Sequence, residues 1–152
     1  MDRASGDPVP RAVAWLGYGG LVPFVVLAVA TFADRQRAPF WSDALFAYGA
    51  VILSFVGALH WGFAMTLGGL SAGQRDARFA WSVVPALLAW PALLLPALSA
   101  GLLLVAGFLA HYWQDRRLAG MAELPAWYLP LRLRLSSVAC LCLAAGGLAG
   151  RA

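Results

Sequence analysis

The chain has 152 residues, of which 62% are hydrophobic and only 12% charged, with a formal net charge of +4. A soluble domain carries about twice that charged fraction, so the composition points away from a water-soluble fold. All eleven basic residues are arginine, and they lie in short segments beside apolar blocks, a pattern that suits lipid headgroups and gives no sign of a nucleic-acid partner.

The mean hydropathy is +0.75, and the apolar residues cluster into blocks of roughly 20, the length that crosses a bilayer core. The fold class read from this is all-α: a single polytopic membrane domain over 1–152, with about five transmembrane helices. The Ala- and Arg-rich usage suggests a GC-rich bacterial genome.

The first span is 12–33, and Pro23 near its middle predicts a kink. Arg3 and Arg11 precede this run, and Ala30 and Ala33 resemble a cleavage site. The run is nevertheless longer than the roughly 7–15-residue core of a signal peptide, so it reads as a retained helix. A polar turn over 34–43 places Trp41 at the membrane interface. The second span is 44–67; nothing charged occurs between Asp43 and Arg75. A Gly-rich loop, 68–78, carries Arg75 and Arg78.

The third span, 79–96, contains Pro85, Pro91 and Pro96 and is expected to bend. The fourth, 97–114, follows almost without a loop. The two together are too long for one crossing, and Pro96 with Ser99 to Gly101 marks a reversal, so a tight hairpin is expected. The alternative is one tilted helix with a re-entrant piece. In the loop 115–134, Trp127 and Tyr128 are placed in the headgroup layer, with Arg132 and Arg134 snorkelling beside them. The fifth span is 133–150. Its small residues, GGLAG over 146–150, permit close helix contact. No internal repeat supports an inverted-repeat transporter.

With five spans, eight arginines fall on the side of the N-terminus (Arg3, Arg11, Arg75, Arg78, Arg116, Arg117, Arg132, Arg134) and three on the other (Arg35, Arg37, Arg151). The positive-inside rule then puts the N-terminus in the cytoplasm and the C-terminus outside, in a bacterial inner membrane.

Candidates for chemistry are few. The stretch GALHWGFAM, 57–65, puts His60 beside Trp61 in an apolar run, and His111 lies near Trp113 in the fourth span. From the rise of 1.5 Å per residue, His60 is ~10 Å and His111 ~5 Å from the inner helix ends. Two readings stand. The histidines are interhelical hydrogen-bonding groups, or they form a cofactor site: haem b held axially, with Arg75, Arg78, Arg116 and Arg117 toward its propionates, or a quinone head group on one histidine. Arg75, Arg78, Arg116, Arg117, Arg132 and Arg134 are the expected contacts to lipid or another anion.

No catalytic residue is assigned, because Ser54, Ser82, Ser99, Ser136 and Ser137 lack an adjacent base motif. No spaced metal-ligand motif occurs. Cys140 and Cys142, two apart on a helix, point to different faces. Asp43 and Asp115 sit at span ends and Glu123 in a loop. That leaves no carboxylate at depth for a cation-coupled carrier. Asp115 with Arg116 and Arg117 reads as a helix end in water, or alternatively as a charged site.

Three stretches, AVILSFVGALHWGFAM (50–65), RFAWSVVPALLAWPALLL (78–95) and LPAWYLPLRLRLSSVA (124–139), resemble a family of small bacterial and mitochondrial membrane proteins. That family is known as a domain of unknown function and includes the transmembrane protein 69 group. SF-x4-HWG and WY-x2-LR-x-RL are the more specific elements. The resemblance implies a fold of about five helices and brings no reaction, cofactor or catalytic residue with it. The leading expectation is a non-enzymatic accessory or scaffold subunit packed against other membrane components, such as an energy-converting complex. A haem- or quinone-binding redox protein is the alternative, and a small carrier or channel a weaker one.

Overall fold

The computed structural model describes residues 8–149; Arg3, Gly150 and Arg151 lie outside them. The first apolar block is a helix broken in two, α1 (Arg11–Gly19) and α2 (Val22–Ala33). The break falls at Gly20 and Leu21 rather than at Pro23. Glycine is a poor helix former, whereas Pro23 stands in the first turn of α2, where its missing N–H has no partner to lose. A helix broken in lipid must find partners for the backbone groups it frees. The Gly20 carbonyl accepts from the Tyr48 hydroxyl at 2.9 Å.

A short 3-10 turn, Arg35–Arg37, follows. Asp34 holds it by accepting from the Arg37 N–H and the Trp41 indole, at 3.2 and 3.3 Å. The second block is α3 (Ala38–Thr66), a turn and a half longer at its start than expected, with Pro39 in its first turn. Gly69, at φ 78, turns the chain. α4 (Ala72–Ala92) then starts on a capping box in which the side chains of Ser71 and Gln74 satisfy each other's backbone N–H.

Residues 93–96 reverse the chain into α5 (Ala97–Ala119), so the expected tight hairpin between the third and fourth blocks is present. α5 continues more than a turn beyond Gln114. α6 (Tyr128–Ala149) begins more than a turn before residue 133. Both extensions move side chains expected in water or headgroups into the bundle.

Among the described residues, and with the broken α1–α2 rod counted once, the architecture is a five-helix all-α bundle. α3 packs against α2, α4, α5 and α6. Among the described residues, four units are long and apolar enough to cross a membrane: Arg11–Ala33, Arg35–Thr66, Ala97–Ala119 and Tyr128–Ala149. α4 is the fifth helix, and its outward face carries Val83, Leu87 and Trp90.

Glycines set the closest approaches. A Cβ at Gly57 would come within 2.8 Å of the Pro85 ring, and one at Gly101 within 2.9 Å of the Leu143 carbonyl oxygen. The apolar core includes Phe24, Leu45, Leu53, Leu104, Phe108 and Leu143. The exterior is apolar as well, with Val51, Trp90, Leu94 and Leu141 exposed. This is the pattern of a helix bundle embedded in a membrane rather than in water.

Candidate functional site

The C-terminal turns of α3 and α5 meet the N-terminal turns of α4 and α6 at one end of the bundle. Helical residues four apart share a face. His111 and Asp115 are such a pair on α5, and Tyr128 and Arg132 are such a pair on α6. The two pairs face each other, and His60 reaches them from α3.

Asp115 is the centre. His60, His111 and Asp115 are all 0% exposed. The His60 Nε2 lies 3.0 Å from Asp115 Oδ1, and the Tyr128 hydroxyl donates to the same oxygen at 3.1 Å. Arg132 Nε donates to Oδ2 at 3.0 Å. His111 Nε2 is 3.7 Å from Oδ1, outside hydrogen-bond range. A bare carboxylate in a low-dielectric interior would be costly by several kcal/mol or more. Arg132 neutralises it, and His60 and Tyr128 occupy its remaining lone pairs.

A second layer surrounds this centre. The Trp81 indole N–H on α4 donates to His111 Nδ1 at 3.1 Å, and the two rings lie side by side with 14° between their planes. Arg78 Nη1 donates to Gln114 Oε1 at 3.0 Å. The Phe63 ring meets both His60 and Tyr128 edge-on.

The Trp81 bond fixes a tautomer. A neutral imidazole carries one N–H and one lone pair. Because Nδ1 of His111 accepts from Trp81, its proton sits on Nε2, directed at Asp115. That bears on the two ligands these residues suggest. His60, His111 and Asp115 bring three ligand atoms within 4.8 Å of one another, with Nε2 the nitrogen that each histidine turns to the carboxylate, a cluster with no counterpart in the linear spacing. A metal ion would need the Nε2 lone pair of His111, yet Trp81 holds the ring in the opposite tautomer, and Arg132 places a cation on the same carboxylate.

Haem fits no better. Axial histidines oppose each other across the macrocycle. Here the His60 and His111 rings touch edge-to-face, with centroids 5.0 Å apart and planes at 69°, and both turn toward Asp115.

Four sequence-based expectations are corrected. Asp115 is a fully buried ion-pair partner and not a helix end in water, because α5 runs past it. Arg132 and Arg78 are buried, on Asp115 and Gln114, and are not lipid-facing arginines. Tyr128 is a buried donor rather than a headgroup aromatic. Arg75 is half-buried and donates to the carbonyls of Ala64 and Leu67, closing the C-terminal end of α3 as a cation should.

Arg116, Arg117 and Arg134 are exposed. Trp61 and Trp113 point outward, at 50% and 56% exposure. Trp61 lies against Phe79, and the Arg117 guanidinium lies over Trp113. Trp81, Gln114 and Tyr128 are the site residues that sequence reasoning missed.

Residues 9–148 match a family described as protein of unknown function (DUF3429). A curated relative, Transmembrane protein 69 of Xenopus tropicalis, is 37% identical over 133 residues, covering 86% of this chain and 51% of that protein. The chain thus spans about half the length of that relative. No solved structure matches.

Proposed function

The chain belongs to the DUF3429 family of membrane proteins, and we propose that it acts as a non-enzymatic accessory or scaffold subunit packed against other membrane components. The observation that carries this reading is the closed state of the Asp115 cluster. Its histidines and carboxylate, His60, His111 and Asp115, are fully buried and turned on one another, with Arg132 held to Asp115 through Nε. They join α3, α5 and α6 to each other and, through Trp81, to α4. Such a cluster holds helices in place and leaves no open site for a reaction at the histidines.

The cluster lies at the end of the bundle that carries Arg75, Arg78, Arg116, Arg117 and Arg134. By the positive-inside rule this end faces the cytoplasm, with the N-terminus inside and the C-terminus outside, in a bacterial inner membrane. Extraction in mild detergent at native expression levels, followed by native electrophoresis, tests the assignment. A larger assembly with a co-purifying subunit is expected. A single monomeric species would overturn it.

A further inference from the structure

A groove of about 490 Å³ opens between the broken α1–α2 rod, α3 and α6, within the roughly 300–1,000 Å³ typical of small-molecule sites. We propose that it binds a neutral, membrane-soluble molecule through a carbonyl oxygen that accepts from Arg132 and Ser136. This goes beyond the accessory role and does not depend on it.

The walls are almost wholly apolar: Leu16, Phe24, Ile52, Leu59, Phe63 and Leu135 are representative. The polar side chains that interrupt them stand on α6. Arg132 and Ser136 are four residues apart and so share one face. They are only 6% and 5% exposed. Arg132 Nη2 and Ser136 Oγ are both buried without a hydrogen-bond partner among the described residues. A buried donor left unpaired is destabilising, and native structures rarely keep two together without a partner. Two such donors on the polar face of an otherwise apolar groove form the head end of a ligand site.

Charge decides the class of ligand. The groove's one cation, Arg132, already pairs with Asp115 through Nε, and the pair is neutral. The other groups turned on Asp115 are His60, His111 and Tyr128. An anionic head would leave an uncompensated negative charge in a low-dielectric wall. A carbonyl oxygen has two lone pairs, accepts from both donors and adds no charge. The α6 face that lines the groove runs from Tyr128 to Ala139, ~16 Å by the helical rise, which accommodates an apolar tail. α1, which contributes no buried residue, forms the outer wall. Two membrane molecules offer this chemistry, the ring carbonyl of a prenylated quinone and the ester carbonyl of a glycerolipid.

The test uses the full chain, wild type and two variants. Ser136→Ala removes one donor and little volume; Ser136→Leu fills the head end. Decylubiquinone is titrated in mild detergent, with quenching of tryptophan fluorescence as the readout, since Trp127 lines the groove. In parallel, lipid retained after delipidation is quantified for protein reconstituted in ester-linked and in ether-linked phosphatidylcholine.

Saturable quenching that weakens about tenfold in Ser136→Ala, the loss of one hydrogen bond, and vanishes in Ser136→Leu identifies a quinone-type ligand. Stoichiometric retention of ester lipid but not ether lipid, lost in Ser136→Leu, identifies a glycerolipid. Identical behaviour of all three proteins in both arms, or no binding in either arm, overturns the proposal. Ser136→Ala keeps the Asp115 cluster intact and is expected to unfold as the wild type does, so the result remains readable if Ser136→Leu fails to fold.

Discussion

The two ends of the bundle are joined in different ways. At the end where α4 turns into α5, helices meet through absent side chains: Gly101 and Gly147 let α5 and α6 backbones approach, and Leu143 fills the space beside Gly49. At the opposite end they meet through a buried ion pair and four polar neighbours. In a membrane, lipid tails compete with apolar side chains, so hydrophobic burial gives little reason for one helix to choose another. Close fit selects partners by shape. The Asp115 cluster selects them by charge and hydrogen bonds, and it is the less forgiving of the two because each member depends on the others.

The largest expected effect is at Asp115. Asp115→Ala leaves Arg132 buried without its counter-charge and is expected to lower stability by about 3–5 kcal/mol, read as the unfolding transition in mild detergent. At the opposite end, Gly101→Ala presses a Cβ against the Leu143 carbonyl, a backbone atom. It is expected to lower stability by roughly 1–3 kcal/mol. Gly62→Ala, with open space around the new methyl, serves as control and is expected to raise stability by about 0.5–1 kcal/mol through helix propensity. If Gly101→Ala matched Gly62→Ala, the steric account of that end would fail.

Within the cluster, His60→Leu removes a donor to Asp115 and is expected to lower stability by roughly 1–3 kcal/mol. His60→Asn can still donate and should retain much of it. Equal stability of wild type and both variants would show that the His60 bond contributes nothing. Trp81→Phe deletes only the indole N–H and a smaller ring area. Its expected loss is about 1 kcal/mol, with a shift in the imidazole nitrogen resonances of His111 as the tautomer is released. The smallest perturbation is a cysteine label. Replacement of Ser71 should give cytoplasmic labelling and replacement of Gln36 external labelling. The reverse would show that the arginine distribution does not set orientation.

Helix number, order and the α4–α5 hairpin were legible because composition and span length carry that information directly. The position of His60 in a protein-facing helix was legible too. The cluster was not, for a reason that lies in the helix ends. Asp115 follows His111 by four residues, and Arg132 follows Tyr128 by four. That spacing is visible in the sequence, but it means adjacency only inside a helix.

Charge at residues 115–117 and in 132–134 reads as water or headgroup, which stops the predicted spans at 114 and 133. Two of those charges, Asp115 and Arg132, neutralise each other across the α5–α6 contact, and so they lie buried within the helices. Trp81 escaped notice for a related reason. Its partner is thirty residues away, and no periodicity connects α4 to α5. The break after Gly19 was masked by Pro23, the stronger breaker in a helix interior but harmless in a first turn.

The central claim is that Asp115 and Arg132 form one interdependent pair holding α5 to α6. A double-mutant cycle on unfolding in mild detergent measures this directly, with Asp115→Leu, Arg132→Met and the two combined. Each single variant should lose several kcal/mol. The double variant, with both charges gone, should recover most of that loss, since an apolar replacement of a buried ion pair is often neutral. Losses that simply add in the double variant would contradict the pair and leave Asp115 and Arg132 as independent residues.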